Sequence, residues 1–156
     1  MARIRRPALM LGVLAISALV FSGCLANGGG WIYSAVGAKK ATFGFTWQGD
    51  PYGGTATLAK GSWSDGYVKF KIADGGITFG NPSNGCVYGS GDYVSTNRQY
   101  SGSGTIYITI CDNGEPGPTN GDYVSVCLSG GPYDGYYNSG TLRGGNLQVK
   151  SQGNTA

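Results

Sequence analysis

Apolar and polar positions alternate with a period of two along most of the chain downstream of residue 40. The clearest case lies within Gly104–Leu128, where Ile106, Ile108 and Ile110 alternate with Tyr107, Thr109 and Cys111. After a turn-rich linker, Val124, Val126 and Leu128 alternate with Tyr123, Ser125 and Cys127. A strand sends successive side chains to opposite faces, so this pattern predicts two antiparallel strands, each with one buried face. The same alternation recurs in Lys40–Trp47, with Phe43, Phe45 and Trp47 inward, and in Tyr67–Ala73, with Val68, Phe70 and Ile72 inward. Weaker runs are Thr55–Lys60 (Ala56 and Leu58 inward), Ile77–Phe79, Cys86–Val94 and Thr141–Lys150. Clusters such as Gly49–Gly54, Ser64–Gly66, Asp74–Gly76 and Asn81–Gly85 supply the turns. About seven short strands at this spacing predict an all-β fold, an antiparallel β-sandwich or small barrel.

Composition agrees. Thirty glycines and eleven tyrosines, with no long stretch of Ala, Leu, Glu and Lys after the leader, exclude a mostly helical chain.

The first residues follow a different rule. Arg3, Arg5 and Arg6 precede a run of fourteen residues, Ala8–Phe21, that is almost wholly apolar. A basic head, a short apolar middle and small residues at the end describe a secretory signal peptide over residues 1–23. As a helix the run would span about 21 Å, short of a hydrocarbon core of ~30 Å. Phe21-Ser22-Gly23-Cys24 resembles a bacterial lipobox, with Phe21 where leucine is usual. That resemblance implies a lipid on Cys24, an exported chain held on the membrane, and Leu25–Gly30 as a flexible tether. The β-domain is then expected over 31–150, with a frayed tail at 151–156. Removing Arg3, Arg5 and Arg6 takes eleven basic residues to eight, against eight acids. A near-neutral domain has no basic patch for nucleic acid.

In an exported chain the remaining cysteines can oxidise. If Gly85–Val94 pairs with Thr105–Cys111, then Cys86 and Cys111 lie together and form the preferred disulfide. Cys127 falls roughly 17–20 Å away along the next strand, beyond the ~7 Å reach of a disulfide, and is left free or paired elsewhere.

The chain contains no histidine. This excludes Ser–His–Asp and Cys–His catalysis and any His-based metal site. Glu115 is the only glutamate and sits in a Gly-Glu-Pro-Gly turn, so a carboxylate pair for glycoside hydrolysis has little support and no enzyme is expected. The linker Asp112–Asp122 gathers Asp112, Asn113, Glu115, Asn120 and Asp122. Turn chemistry is the leading reading of these residues and a calcium loop the lesser one. Trp31, Tyr33, Trp63, Tyr133, Tyr136 and Tyr137 fall outside the alternating core pattern. They read either as caps on the ends of the fold or as stacking surfaces for a glycan or a cell-surface protein.

Three segments in order, Lys40–Phe45 (KATFGF), Asp112–Gly117 (DNGEPG) followed by Asp122, and Gly140–Val149 (GTLRGGNLQV), resemble an uncharacterised domain of exported bacterial proteins, the post-COAP type. The resemblance spans roughly Gly29–Lys150 and implies a module of secreted or surface proteins, with no activity attached. The chain departs from that pattern in its cysteines and in carrying Lys150 where a histidine is common. The expectation is thus a surface-anchored binding or structural domain, with a carbohydrate-binding module and then a hydrolase as alternatives.

Overall fold

The alternating segments become strands of one sheet, and the buried member of each pair supplies the core. In a computed structural model, residues 24–48, 54–55, 58–74, 77–80 and 82–149 are described. The signal peptide expected over 1–23, the frayed tail expected over 151–156 and the inward Ala56 expected in the weak strand all lie outside the described residues. Chain order gives β1 (Cys24–Ile32), β2 (Ala41–Gln48), β3 (Gly54–Thr55), β4 (Leu58–Asp65), β5 (Val68–Ile72) and β6 (Thr78–Phe79). These are followed by β7 (Cys86–Ser95), β8 (Ser103–Cys111), β9 (Tyr123–Ser129), β10 (Tyr137–Thr141) and β11 (Gly144–Val149).

Nine strands run in the order β10-β9-β8-β7-β5-β4-β2-β1-β11, each neighbouring pair antiparallel, and the sheet curls into a half-barrel. The short β3 and β6 pair with each other, and β6 also pairs with β7. The all-β expectation holds, with more strands than the seven read from the pattern. The inner face is a single apolar cluster that includes Phe43, Phe45, Trp47, Trp63 and Phe70 on one side and Ile106, Ile108, Val124 and Val126 on the other. Full burial of such side chains stabilises by roughly 1.5–3 kcal/mol each.

Three expectations are corrected. Leu25–Gly30 is no tether: it belongs to β1, which is paired on one side with β2 and on the other with β11. Its glycines are there for contact, because a Cβ on Gly28 would collide with the Asn146 carbonyl oxygen and one on Gly30 with that of Gly144. Ser64 lies within β4, so the chain turns one step later, at Gly66 in the left-handed region (φ 58°). Ser129–Gly140 (SGGPYDGYYNSG) has no alternating apolar run and so reads as a Tyr- and Gly-rich loop, yet it contains a 3-10 turn at Gly131–Tyr133 and most of β10. The inward residue of β10 is the polar Asn138, 6% exposed, which hides the strand from a hydrophobicity pattern.

Candidate functional site

The acidic linker is a clamp. It carries a four-residue helix, α1 (Gly117–Asn120), after a cis peptide at Glu115–Pro116. Asp122 is fully buried; its Oδ1 accepts from the Asn113 N–H at 2.9 Å and its Oδ2 from the Leu147 N–H at 2.9 Å. Asp112 accepts from the Gly114 N–H at 2.9 Å and from the Val149 N–H at 3.1 Å. Leu147 and Val149 lie on β11, the last strand of the sheet, so the two carboxylates take the place of carbonyls from a further strand. Glu115 Oε1 accepts from Asn146 Nδ2 at 2.6 Å, Asn113 Nδ2 donates to the Gly121 carbonyl at 2.8 Å, and Asn120 is exposed at the end of α1. The five residues weighed as calcium ligands therefore do not converge: the Asp oxygens meet backbone N–H groups. Among the described residues, no three His, Cys, Asp or Glu side chains are grouped to hold a metal ion. Two of the segments that carry the post-COAP resemblance, DNGEPG and GGNLQV, meet in this clamp.

A second network ties down the end of the sheet reached by β1 at Ile32. Asp65 is fully buried among neutral donors: the Ser34 hydroxyl, the Ala35 N–H at 3.0 Å, the Tyr136 hydroxyl at 2.8 Å and Asn138 Nδ2 at 3.1 Å. Trp63 Nε1 in turn donates to the Tyr136 oxygen at 2.8 Å. Burial, reinforced by the adjacent Asp65 carboxylate, pushes the Tyr136 hydroxyl far above its ordinary range. Burial also raises Tyr93, whose hydroxyl donates to the Gly130 carbonyl at 2.7 Å. The loop residues Tyr133 and Tyr136 line a cleft of about 330 Å³ with Tyr67, Asp134 and Tyr137.

This geometry corrects the reading of the loop aromatics as one exposed stacking surface. Trp63 (1% exposed), Tyr133 (3%) and Tyr136 (9%) belong to the core. Trp31 is half-buried beneath Lys40, whose Nζ lies 4.8 Å from the ring centroid, and Arg143 covers the exposed ring of Tyr33 at 4.7 Å. Of these six aromatics, only Tyr33 (61%) and Tyr137 (57%) are exposed.

Open rings stand elsewhere, on the outer face of β7–β10. Tyr88 and Tyr107 are each more than half exposed. In the register of the sheet, Cys127 faces Tyr107 on one side and Tyr137 on the other. Tyr88 lies opposite Thr109, one step diagonally from Tyr107. Between them runs a groove of about 570 Å³ lined by Phe79, Tyr88, Ser90, Tyr107, Ser125 and Cys127. None of the ring contacts or hydrogen bonds among the described residues involves the side chains of Tyr88, Tyr107 or Tyr137. The alternation already placed Tyr107 outward, since it stands between Ile106 and Ile108.

On the same face Cys86 and Cys111 stand opposite each other, joined by a disulfide with Cα atoms 4.0 Å apart, and Cys127 is free and exposed. No protein-family model, curated protein or solved structure matches the chain.

Proposed function

We propose that the chain is an exported domain, anchored through Cys24, that works by binding at the cell surface and carries out no catalysis. The observation that carries this reading is the open tyrosine face of β7–β10. Three exposed rings share one face of the sheet, their hydroxyls unpartnered among the described residues, and two of them line a groove. Tyr rings give large amphipathic contact area at little cost in side-chain entropy. The lack of histidine and the engagement of Asp65, Asp112 and Asp122 by hydrogen-bond donors support a non-catalytic role. With β1 starting at Cys24, acyl chains there would hold the folded sheet directly against the bilayer without a spacer.

The test uses the full chain, fluorescently labelled, on isolated cell envelopes. Saturable retention is expected, weakened about tenfold by the pair Tyr88→Ser and Tyr107→Ser at an unchanged unfolding midpoint. Equal retention of wild type and variant overturns the binding face. For the anchor, mass spectrometry of membrane-extracted protein is expected to find acylated Cys24 as the N-terminal residue; an unmodified N-terminus beyond it overturns that part.

A further inference from the structure

We infer that the outer face of β7–β10 is a platform for an uncharged glycan chain. The inference rests on the binding reading above and names its ligand class.

Charge decides first. At the outward positions of these four strands Asp92 is the one charged side chain, and it stands beyond Ser90 toward the end of β7. The rest of the face is tyrosine, serine and threonine together with cysteine and, beside Asp92, Val94. Burying charge-bearing ligands against such a face would leave their charges without partners, which is costly. A protein partner is disfavoured for a related reason. Hot spots of protein interfaces are Trp, Tyr and Arg gathered at the centre of a desolvated patch, whereas this face has no Trp or Arg and serine and threonine separate its tyrosines. The lysines of the sheet's outer surface (Lys60, Lys69 and Lys71) lie on the other half, on β4 and β5.

Spacing decides second. Tyr107 and Tyr137 share one row across β8, β9 and β10, so their Cα atoms lie about 10 Å apart by the spacing of strands. Tyr88 is the diagonal neighbour of Tyr107 at roughly 7–8 Å. The rings thus mark a track crossing four strands, with steps longer than one pyranose unit that suit alternate units of a chain. The apolar face of a pyranose stacks on each ring. Its hydroxyls meet those of Ser90, Thr109 and Ser125, which make no other hydrogen bond among the described residues. Sugar stacking and uncharged hydrogen bonding make the interaction insensitive to salt.

The experiment is affinity electrophoresis of the full chain in detergent through gels containing dextran, mixed-linkage β-glucan or galactomannan, with heparin and alginate as anionic polymers. Retardation by at least one neutral polymer is expected, unchanged by added salt. It should fall about tenfold in Tyr107→Ala and persist in Tyr107→Phe, because the phenylalanine ring still stacks. Retardation by the anionic polymers alone, or retardation abolished by salt, overturns the inference. So does envelope binding that survives periodate oxidation of the glycans, which would assign the face to a protein partner while leaving the binding reading intact. Absence of both envelope binding and retardation overturns the two together.

Discussion

The two halves of the sheet put their aromatic residues on opposite sides. In β2, β4 and β5 the rings point inward: Phe43 stacks on Phe45 at 5.6 Å and on Trp63 at 5.5 Å, and Trp63 stacks on Phe70 at 6.4 Å. The outward positions there are mostly threonine, serine and lysine, with Gly44 and Gln48 on β2. In β7, β8 and β9 the inward side chains include Val87, Ile106, Ile108, Ile110, Val124, Val126 and Leu128, with Tyr93 as the one ring among them, and the rings of Tyr88 and Tyr107 face out. Rings in a core demand holes. A Cβ on Gly61 would collide with the Phe45 ring, and one on Gly89 would come within 2.8 Å of Trp47 Cη2. In β8 and β9 aliphatic side chains fill the pleated inner face with no hole cut for a ring, which leaves the outward tyrosines of that half available for contact with something else.

The contrast can be broken most forcefully at Trp63. Trp63→Ala is expected to lower the unfolding free energy by about 3–5 kcal/mol in a denaturant titration, since it empties the centre of the stack and leaves the Tyr136 oxygen without its donor. Reducing the Cys86–Cys111 bridge tests how far the other half depends on a covalent tie. With its ends separated by 25 positions in sequence, the chain-entropy model gives about 3.5 kcal/mol, read as a shift in unfolding midpoint with reductant. Asp122→Ala addresses what joins the halves: it strips the acceptor from two backbone N–H groups and should cost about 3 kcal/mol by the same titration.

Alkaline melting sharpens the contrast further. Tyr136 and Tyr93 have raised pKa values in the folded state, so the folded chain holds their protons more tightly than the unfolded chain. Their contribution is complete below the unfolded tyrosine pKa of about 10 and is lost as pH rises above it. The melting temperature should therefore fall above that pH, and fall less steeply in Tyr136→Phe. Smallest of all is Tyr107→Ala, expected within about 0.5 kcal/mol of wild type. A cost close to that of Trp63→Ala would mean that the outer ring is part of the packing.

What could be read in advance follows the same division. β8 and β9 were legible because every inward position is aliphatic. β4 was not: its inward residues include Gly61, Trp63 and Asp65, so no apolar repeat surrounds Trp63, and the ring that anchors the core looked like a loop aromatic. For Tyr136 and Tyr133 the sequence leaves caps and stacking surfaces equally open, because the partners that bury them, Asp65 and Trp63 for the first and Tyr93 for the second, are distant in sequence. Asp112 and Asp122 displayed the right atoms for a cation, while the N–H groups that engage them lie on β11, which no local pattern connects to that turn. Tyr107 and Tyr88 were placed on strands by the alternation; their significance came only with the register that sets them beside Tyr137 on one face.

The three-glycine strand also bears on time. Ala26 lies opposite Val149, and β1 is enclosed between β2 and β11, so the first strand made waits for the last. Pairings that join the two ends of a chain form late and slowly, because the whole intervening loop must be closed before they contribute. A ribosome that still holds β11 therefore holds a chain whose β1 has only half its partners. In a pulse experiment, protease protection of β1 should appear only when β11 has been released.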